Sequence, residues 1–99
     1  MAVTFSSGSW TVKPGEETDF IEAWKQFVGW AAELPGSGTF RLVQDRDRPD
    51  RYASFGEWES LEAQEAWTQH PDFRKRLGRV RSYCSEFEPT TFELVATVS

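Results

Sequence analysis

One cysteine, one histidine and one methionine are all that the 99-residue chain has of those three types. A lone cysteine excludes an intrachain disulfide framework, and with a lone histidine it excludes a Cys/His zinc site built within one chain. A single Cys84 also fits a reducing compartment. Basic charge is scarce: 11 Lys and Arg face 16 Asp and Glu, a formal charge of −5 that argues against nucleic-acid binding. No apolar run approaches the ~18 residues of a membrane helix. The segment Met1-Ala-Val-Thr-Phe-Ser-Ser-Gly8 has neither a basic start nor a long apolar stretch to act as a targeting signal. The expectation is a cytoplasmic protein with no membrane or nucleic-acid partner. Phosphate-loop and nucleophile-elbow motifs are missing too. Gly36-Ser-Gly38 follows a helical pattern rather than opening one, so it reads as a helix end and turn.

What the chain has in excess is aromatic surface: eight Phe, five Trp and two Tyr, 15% of its residues. Apolar residues at 38% and charged residues at 27% are ordinary globular usage, and the length predicts a single domain over 1–99. Pro14-Gly15, Pro35-Gly36, the charged run 45–51, Pro71 and Pro89 divide the chain into pieces of strand or helix length. Residues 3–12 read as a strand whose alternation falters at Ser6-Ser7-Gly8, which predicts a bulge or a close approach there. Residues 16–34 read as a helix with Phe20, Ala23, Trp24, Phe27, Val28, Trp30 and Ala31 on one broad half. That half is wider than the ~100° stripe needed to rest on one sheet. Either an aromatic-rich core or a cavity, second helix or second subunit accounts for the surplus.

Residues 39–45 and 51–58 read as a hairpin, with Tyr52, Ser54, Gly56 and Trp58 sharing one face and Ala53, Phe55 and Glu57 the other. Ser60 is placed to cap a helix from Leu61 to Gln69 with Ala63, Ala66, Trp67 and His70 on its inner stripe. A further helical turn or two after Pro71 would point Phe73, Leu77, Val80 and Cys84 inward. A last strand over 86–98 would set Phe92, Leu94, Ala96 and Val98 on one side. The order βαββαβ is the α+β ferredoxin-like pattern, an antiparallel sheet with helices on one face. Two helices cover one face only, and the other keeps bulky apolar groups, so a homodimer closed sheet to sheet is expected.

The reactive groups are few. His70 belongs to the one residue type that titrates near neutral pH, and its place on a helix stripe suits a packed residue or a base. Arg74, Lys75, Arg76, Arg79 and Arg81 suit the negative end of a helix, and Arg81 is placed to reach a pocket and an anion. Glu57, Glu59, Glu62 and Glu65 read as a solvated face. A Cys84/His70 nucleophile pair is disfavoured by the core stripe that carries Cys84.

Trp10-Thr-Val-Lys-Pro-Gly15, a helix, Leu34-Pro-Gly36, the strand Tyr52 to Trp58 with its exit Glu57-Trp-Glu-Ser60, and His70-Pro-Asp-Phe73 together resemble the antibiotic biosynthesis monooxygenase superfamily, in order over roughly residues 3 to 98. The resemblance implies a dimeric α/β barrel, two ferredoxin-like protomers joined through their sheets. Trp58 and Trp67 are similar to residues of the haem-degrading branch. That branch has a ligand histidine where this chain has Leu77 and an asparagine where it has Gly8, so haem degradation is not expected. The anthrone-oxidising branch works without metal or flavin. It has a tryptophan at the position of Trp58, an asparagine where Ser54 stands, and in some members an arginine like Arg81.

The resemblance thus implies a monooxygenase with no cofactor, oxidising a small aromatic or polyketide-like anthrone or quinol with dioxygen. Trp58 and Trp67 would wall the ring, with Tyr52 and Phe73 adding apolar surface. Ser54, His70 or Arg81 would stabilise the oxyanion, and neutral His70 would take the proton. The rival is a non-catalytic dimeric α/β barrel that binds a small apolar ligand.

Overall fold

In the computed structural model, which describes residues 3–99, β1 (Thr4–Val12), β2 (Ser37–Gln44), β3 (Arg51–Trp58) and β4 (Cys84–Glu93) form one antiparallel sheet in the order β2-β3-β1-β4. Helix α1 (Glu17–Ala31) follows β1, while α2 (Leu61–Thr68) and α3 (Phe73–Arg81) lie between β3 and β4. The expected α+β ferredoxin-like class and βαββαβ order are what the chain adopts. Met1 and Ala2, the start of the segment read for a targeting signal, lie outside the described residues. Among the described residues no helix is long and apolar enough to cross a membrane.

Strand alternation sorts the sheet into two unlike faces. Trp10 and Val12 of β1 and Tyr52, Ser54, Gly56 and Trp58 of β3 are buried beneath the helices. From α1, Phe20, Ala23, Trp24, Phe27 and Ala31 press onto that face, and the Phe20 ring lies 5.5 Å from Trp10 and 5.1 Å from Tyr52. Glu17 and Asp19 sit in the first turn of α1, where carboxylates complement the helix dipole. The helix ends at Ala31 rather than at 34, because Glu33 and Leu34 already bond three residues back. Gly36 then turns the chain at φ 85°, where a Cβ would stand 2.7 Å from that of Ala63. Ser60 caps α2 as expected, its Oγ accepting from Ala63 N at 3.1 Å.

Several expectations are corrected. Ser6, Ser7 and Gly8 hold regular register opposite Gly56, Phe55 and Ser54, and the irregularity of β1 falls between Thr11 and Val12. The close approach at Gly8 is real: a Cβ there would meet Trp10 Nε1 at 2.8 Å and Ser54 Oγ at 3.0 Å. Ala66 is exposed and Gln64 is buried in its place, so the inner stripe of α2 runs Ala63, Gln64, Trp67. Cys84 opens β4 instead of closing the stripe of α3. β4 stops at Glu93 because its neighbour β1 begins opposite it at Thr4. Ala96 and Val98 therefore lie beyond the strand, and Val95 and Val98 are 94% and 96% exposed.

The second face of the sheet carries Phe5 opposite Phe92 and Ser7 opposite Phe55. Phe55, Val43 and Phe92 are 41%, 50% and 49% exposed there. No element of the described chain lies over them.

Candidate active site

The wide apolar half of α1 has a direct consequence: the helices do not close fully on the sheet. A cavity of ≈ 250 Å³ remains between them. Trp24, Phe27 and Val28 wall it from α1, Trp67 from α2, and Phe73 and Leu77 from α3; Trp10, Phe40, Ser54 and Phe87 form its floor on the sheet. Gly8 and Gly56 lie in the floor as well, leaving room that side chains would take. The lining reaches solvent at Thr68 and along the edge strand at Pro89, Thr90 and Thr91, so that side is the mouth.

Every side chain in the lining is uncharged and none is a carboxylate, histidine, lysine or arginine. Among the described residues no three His, Cys, Asp or Glu side chains gather as a metal ion would require. Polarity enters through few groups. Trp10 Nε1 donates to Ser54 Oγ at 3.0 Å, which leaves the hydroxyl hydrogen of Ser54 free to be donated onward and polarised by the bond it accepts. Gln64 Nε2 donates to Thr91 Oγ1 at 3.0 Å. Gln64 Oε1 and Trp67 Nε1 are buried without a hydrogen-bond partner. An unpaired acceptor and an unpaired donor on residues lining one cavity are uncommon, since nearly all buried polar groups are paired.

Of the residues expected to act, Ser54, Trp67 and Phe73 come together in the lining. Trp58 does not reach it. It lies one layer behind, 1% exposed, stacked on Trp67 at 5.1 Å with Phe40 edge-on at 5.7 Å. Tyr52 faces a separate groove beside Ile21, Trp24 and Leu42, and its hydroxyl accepts from Gln44 Nε2 at 3.2 Å. Burial and the Glu17 carboxylate push its phenol up, so it stays neutral. His70 sits in the turn after α2, its Nδ1 accepting from Asp72 N at 3.0 Å and its ring edge-on to Trp30. Arg81 is exposed and lies outside the cavity, its guanidinium 5.4 Å from the ring of the floor residue Phe87. Burial pushes the Cys84 thiol up to about 11, so no thiolate is available at neutral pH.

Gln64 is the site residue that reading the sequence misses. Its acidic neighbours Glu62 and Glu65 are exposed, and the group looks solvated as a whole. The available signal was its i, i+3 spacing to Trp67, which puts both on one helix face.

Several known folds match this architecture. A cofactor-independent oxygenase of Streptomyces nogalater, SnoaB, superposes with a TM-score of 0.88 at 20% identity, over 99% of this chain and 98% of that one. A single-residue variant of the same oxygenase gives 0.89 at 19% identity, over 97% and 96%. A conserved protein of Methanosarcina mazei gives 0.82 at 15% identity, over 93% and 92%. At such identities the likeness speaks for the fold alone. No curated protein matches the sequence significantly. The sequence profile of the antibiotic biosynthesis monooxygenase family matches residues 7–76, most of the chain, and the protein belongs to that family.

Proposed function

We propose that the protein is a cofactor-independent monooxygenase that oxidises a small hydroxylated aromatic ring with dioxygen. The observation that carries this reading is the cavity lining, which is aromatic, uncharged and without a ligating side chain, yet holds the free hydroxyl hydrogen of Ser54. In such a reaction a phenol plus dioxygen gives a quinone plus water. A ring C–H becomes C=O with one oxygen atom, the other leaves as water, and the substrate supplies all four electrons. The protein binds the ring between Trp67, Phe27 and Phe73, excludes water and steadies the ring oxygen with the Ser54 hydroxyl. Dispersion and aromatic contact hold the flat ring.

Burying an anion in an uncharged cavity is unfavourable, and one neutral donor offsets that only in part. The proton therefore leaves to water at the mouth, and the substrate's own ionisation sets the rate. Oxygen uptake with a panel of anthrones and hydroquinones tests this. Uptake above that of heat-denatured protein and of autoxidation, with quinone formed in proportion, is expected. It should rise with pH toward the substrate's pKa and be unchanged in shape by His70→Gln. Rates equal to the controls for a ring that binds would leave the rival, a barrel that only binds such rings, as the better reading. A profile reshaped by His70→Gln would return the base to His70.

The working unit in this proposal is a homodimer in which a second copy covers Val43, Phe55 and Phe92 on the open sheet face. Sedimentation at micromolar concentration should give a dimer, and Phe55→Glu should dissociate it. A wild-type monomer would remove the dimer from the proposal.

A further inference from the structure

Two serines on the sheet each accept a hydrogen bond from a buried indole, and they differ in what they do next. Ser6 Oγ accepts from Trp58 Nε1 at 3.2 Å and donates to the carbonyl of Gly56 at 3.4 Å, so that chain of bonds ends on backbone. Ser54 Oγ accepts from Trp10 Nε1 at 3.0 Å, and among the described residues its own hydrogen has no acceptor. The direction of this bond is fixed, because an indole nitrogen donates and cannot accept. Ser54 lines the cavity and keeps 9% of its surface accessible. One relay closes on the sheet and the other opens into the cavity.

The local sequence is built around the open one. Gly8 pairs with Ser54 across β1 and β3, and Trp10 stands two residues further along the same face. Such diagonal neighbours are roughly 7–8 Å apart, a gap that only a long side chain closes. The indole closes it by passing over Gly8, where a Cβ would stand 2.8 Å from Trp10 Nε1 and 3.0 Å from Ser54 Oγ. Gly8 has no positive φ, so what calls for glycine there is room for this bond. The indole is held as well: it is 3% exposed, with the rings of Phe20 and Phe87 at 5.5 and 4.2 Å. A serine hydroxyl left to itself turns freely. One that accepts from a fixed donor has its hydrogen sent elsewhere and donates it more strongly.

We infer that Trp10 is a positioning residue of the cavity, its N–H holding the Ser54 hydroxyl so that the hydroxyl hydrogen is directed at the oxygen of a bound phenolic ring. The inference rests on the proposed role of Ser54 and adds what makes that serine a donor. The probe is p-nitrophenol, which ionises near neutral pH and absorbs visible light as its anion. Its absorbance at saturating protein gives the pH at which the bound probe ionises. Ser54→Ala should raise that pH by about one unit, through loss of a hydrogen bond to a charged oxygen. Trp10→Phe, which keeps an aromatic ring between Phe20 and Phe87, should raise it by about half a unit. Gly8→Ala, which displaces the indole and leaves both partners present, should act like Trp10→Phe. Trp10→Phe added to Ser54→Ala should raise it no further, since the indole acts through the hydroxyl. Lost packing alone would weaken neutral and ionised probe alike and leave the ionisation pH where it was.

An ionisation pH raised by Ser54→Ala but unmoved by Trp10→Phe would overturn the assignment and leave the role of Ser54 standing. A further rise in the double variant would overturn it too, because Trp10 would then act by another route. An ionisation pH unmoved by Ser54→Ala would remove the role of Ser54 and the assignment with it. A wild-type protein that does not bind the probe would remove the ring site and both.

Discussion

Trp58→Ala will lose about 3–5 kcal/mol of stability, with the melting temperature lower by roughly 15–30 °C. The side chain is 1% exposed and contacts aromatic neighbours on two sides, Phe40 edge-on and Trp67 stacked. Its indole Nε1 also donates to Ser6 Oγ at 3.2 Å. Removal leaves a large void that backbone on a central strand is poorly able to collapse into, so the cavity term adds to the lost transfer energy. A domain of this size has only about 5–15 kcal/mol in total, so the loss is a large fraction of what it holds. Trp58→Phe should lose less, since it keeps most of the apolar contact and gives up the hydrogen bond. Leu61→Ala, at a residue 46% exposed, should change stability by less than about 1 kcal/mol. Urea unfolding of the three variants measures this directly. A Trp58→Ala protein within 1 kcal/mol of wild type would mean that the Trp67 stack is carried by other contacts. Ring binding is expected to fall in Trp58→Ala as a consequence, because Trp67 is the wall and Trp58 is what backs it.

That distinction marks where sequence reading works here and where it stops. Period decides the elements: α1 follows from Phe20, Ala23, Phe27 and Ala31, and β3 from alternate Tyr52, Ser54, Gly56 and Trp58. Both patterns are long enough to be unambiguous. Place within a site depends on what a short helix does at its end. The stripe Ala63, Ala66, Trp67, His70 assumes that α2 keeps its phase to residue 70, but the helix ends at Thr68 ahead of Pro71, and His70 falls into a turn. Rotation of the same helix buries Gln64 and exposes Ala66, against the apolar character of each. Arg81 and His70 attract attention because of the chemistry of their side chains, and nothing in their spacing says that they face the sheet. Trp67 and Phe73 join the cavity because they meet Phe27 at 5.4 and 5.8 Å, a contact between segments far apart in the chain.

Gly56→Ala tests how the floor of the cavity is built, and its sign is the informative part. On an open strand alanine is favoured over glycine by roughly 0.5–1 kcal/mol, because glycine loses more backbone freedom on folding. Gly56 has no positive φ, so backbone conformation does not require glycine. What requires it is Phe40, paired opposite it on β2, whose ring lies directly where a Cβ would go, with Ser6 Oγ 2.9 Å away on the other side. The ring cannot simply turn aside, because Phe40 is also edge-on to Trp58 and to Trp67, at 5.7 and 6.2 Å. Adding one methyl group should therefore destabilise by about 1–3 kcal/mol, the ordinary range for overpacking. The displaced Phe40 would push on Trp67, and affinity for a small hydroxylated aromatic ring should fall about tenfold, in step with the loss of a fixed wall. A double-mutant cycle isolates the cause. Phe40→Leu alone should destabilise, whereas Phe40→Leu added to Gly56→Ala should restore stability, giving a coupling of about 1 kcal/mol or more. Additive losses, or a Gly56→Ala protein as stable as wild type, would mean that Phe40 moves freely and that the wall behind Trp67 is soft.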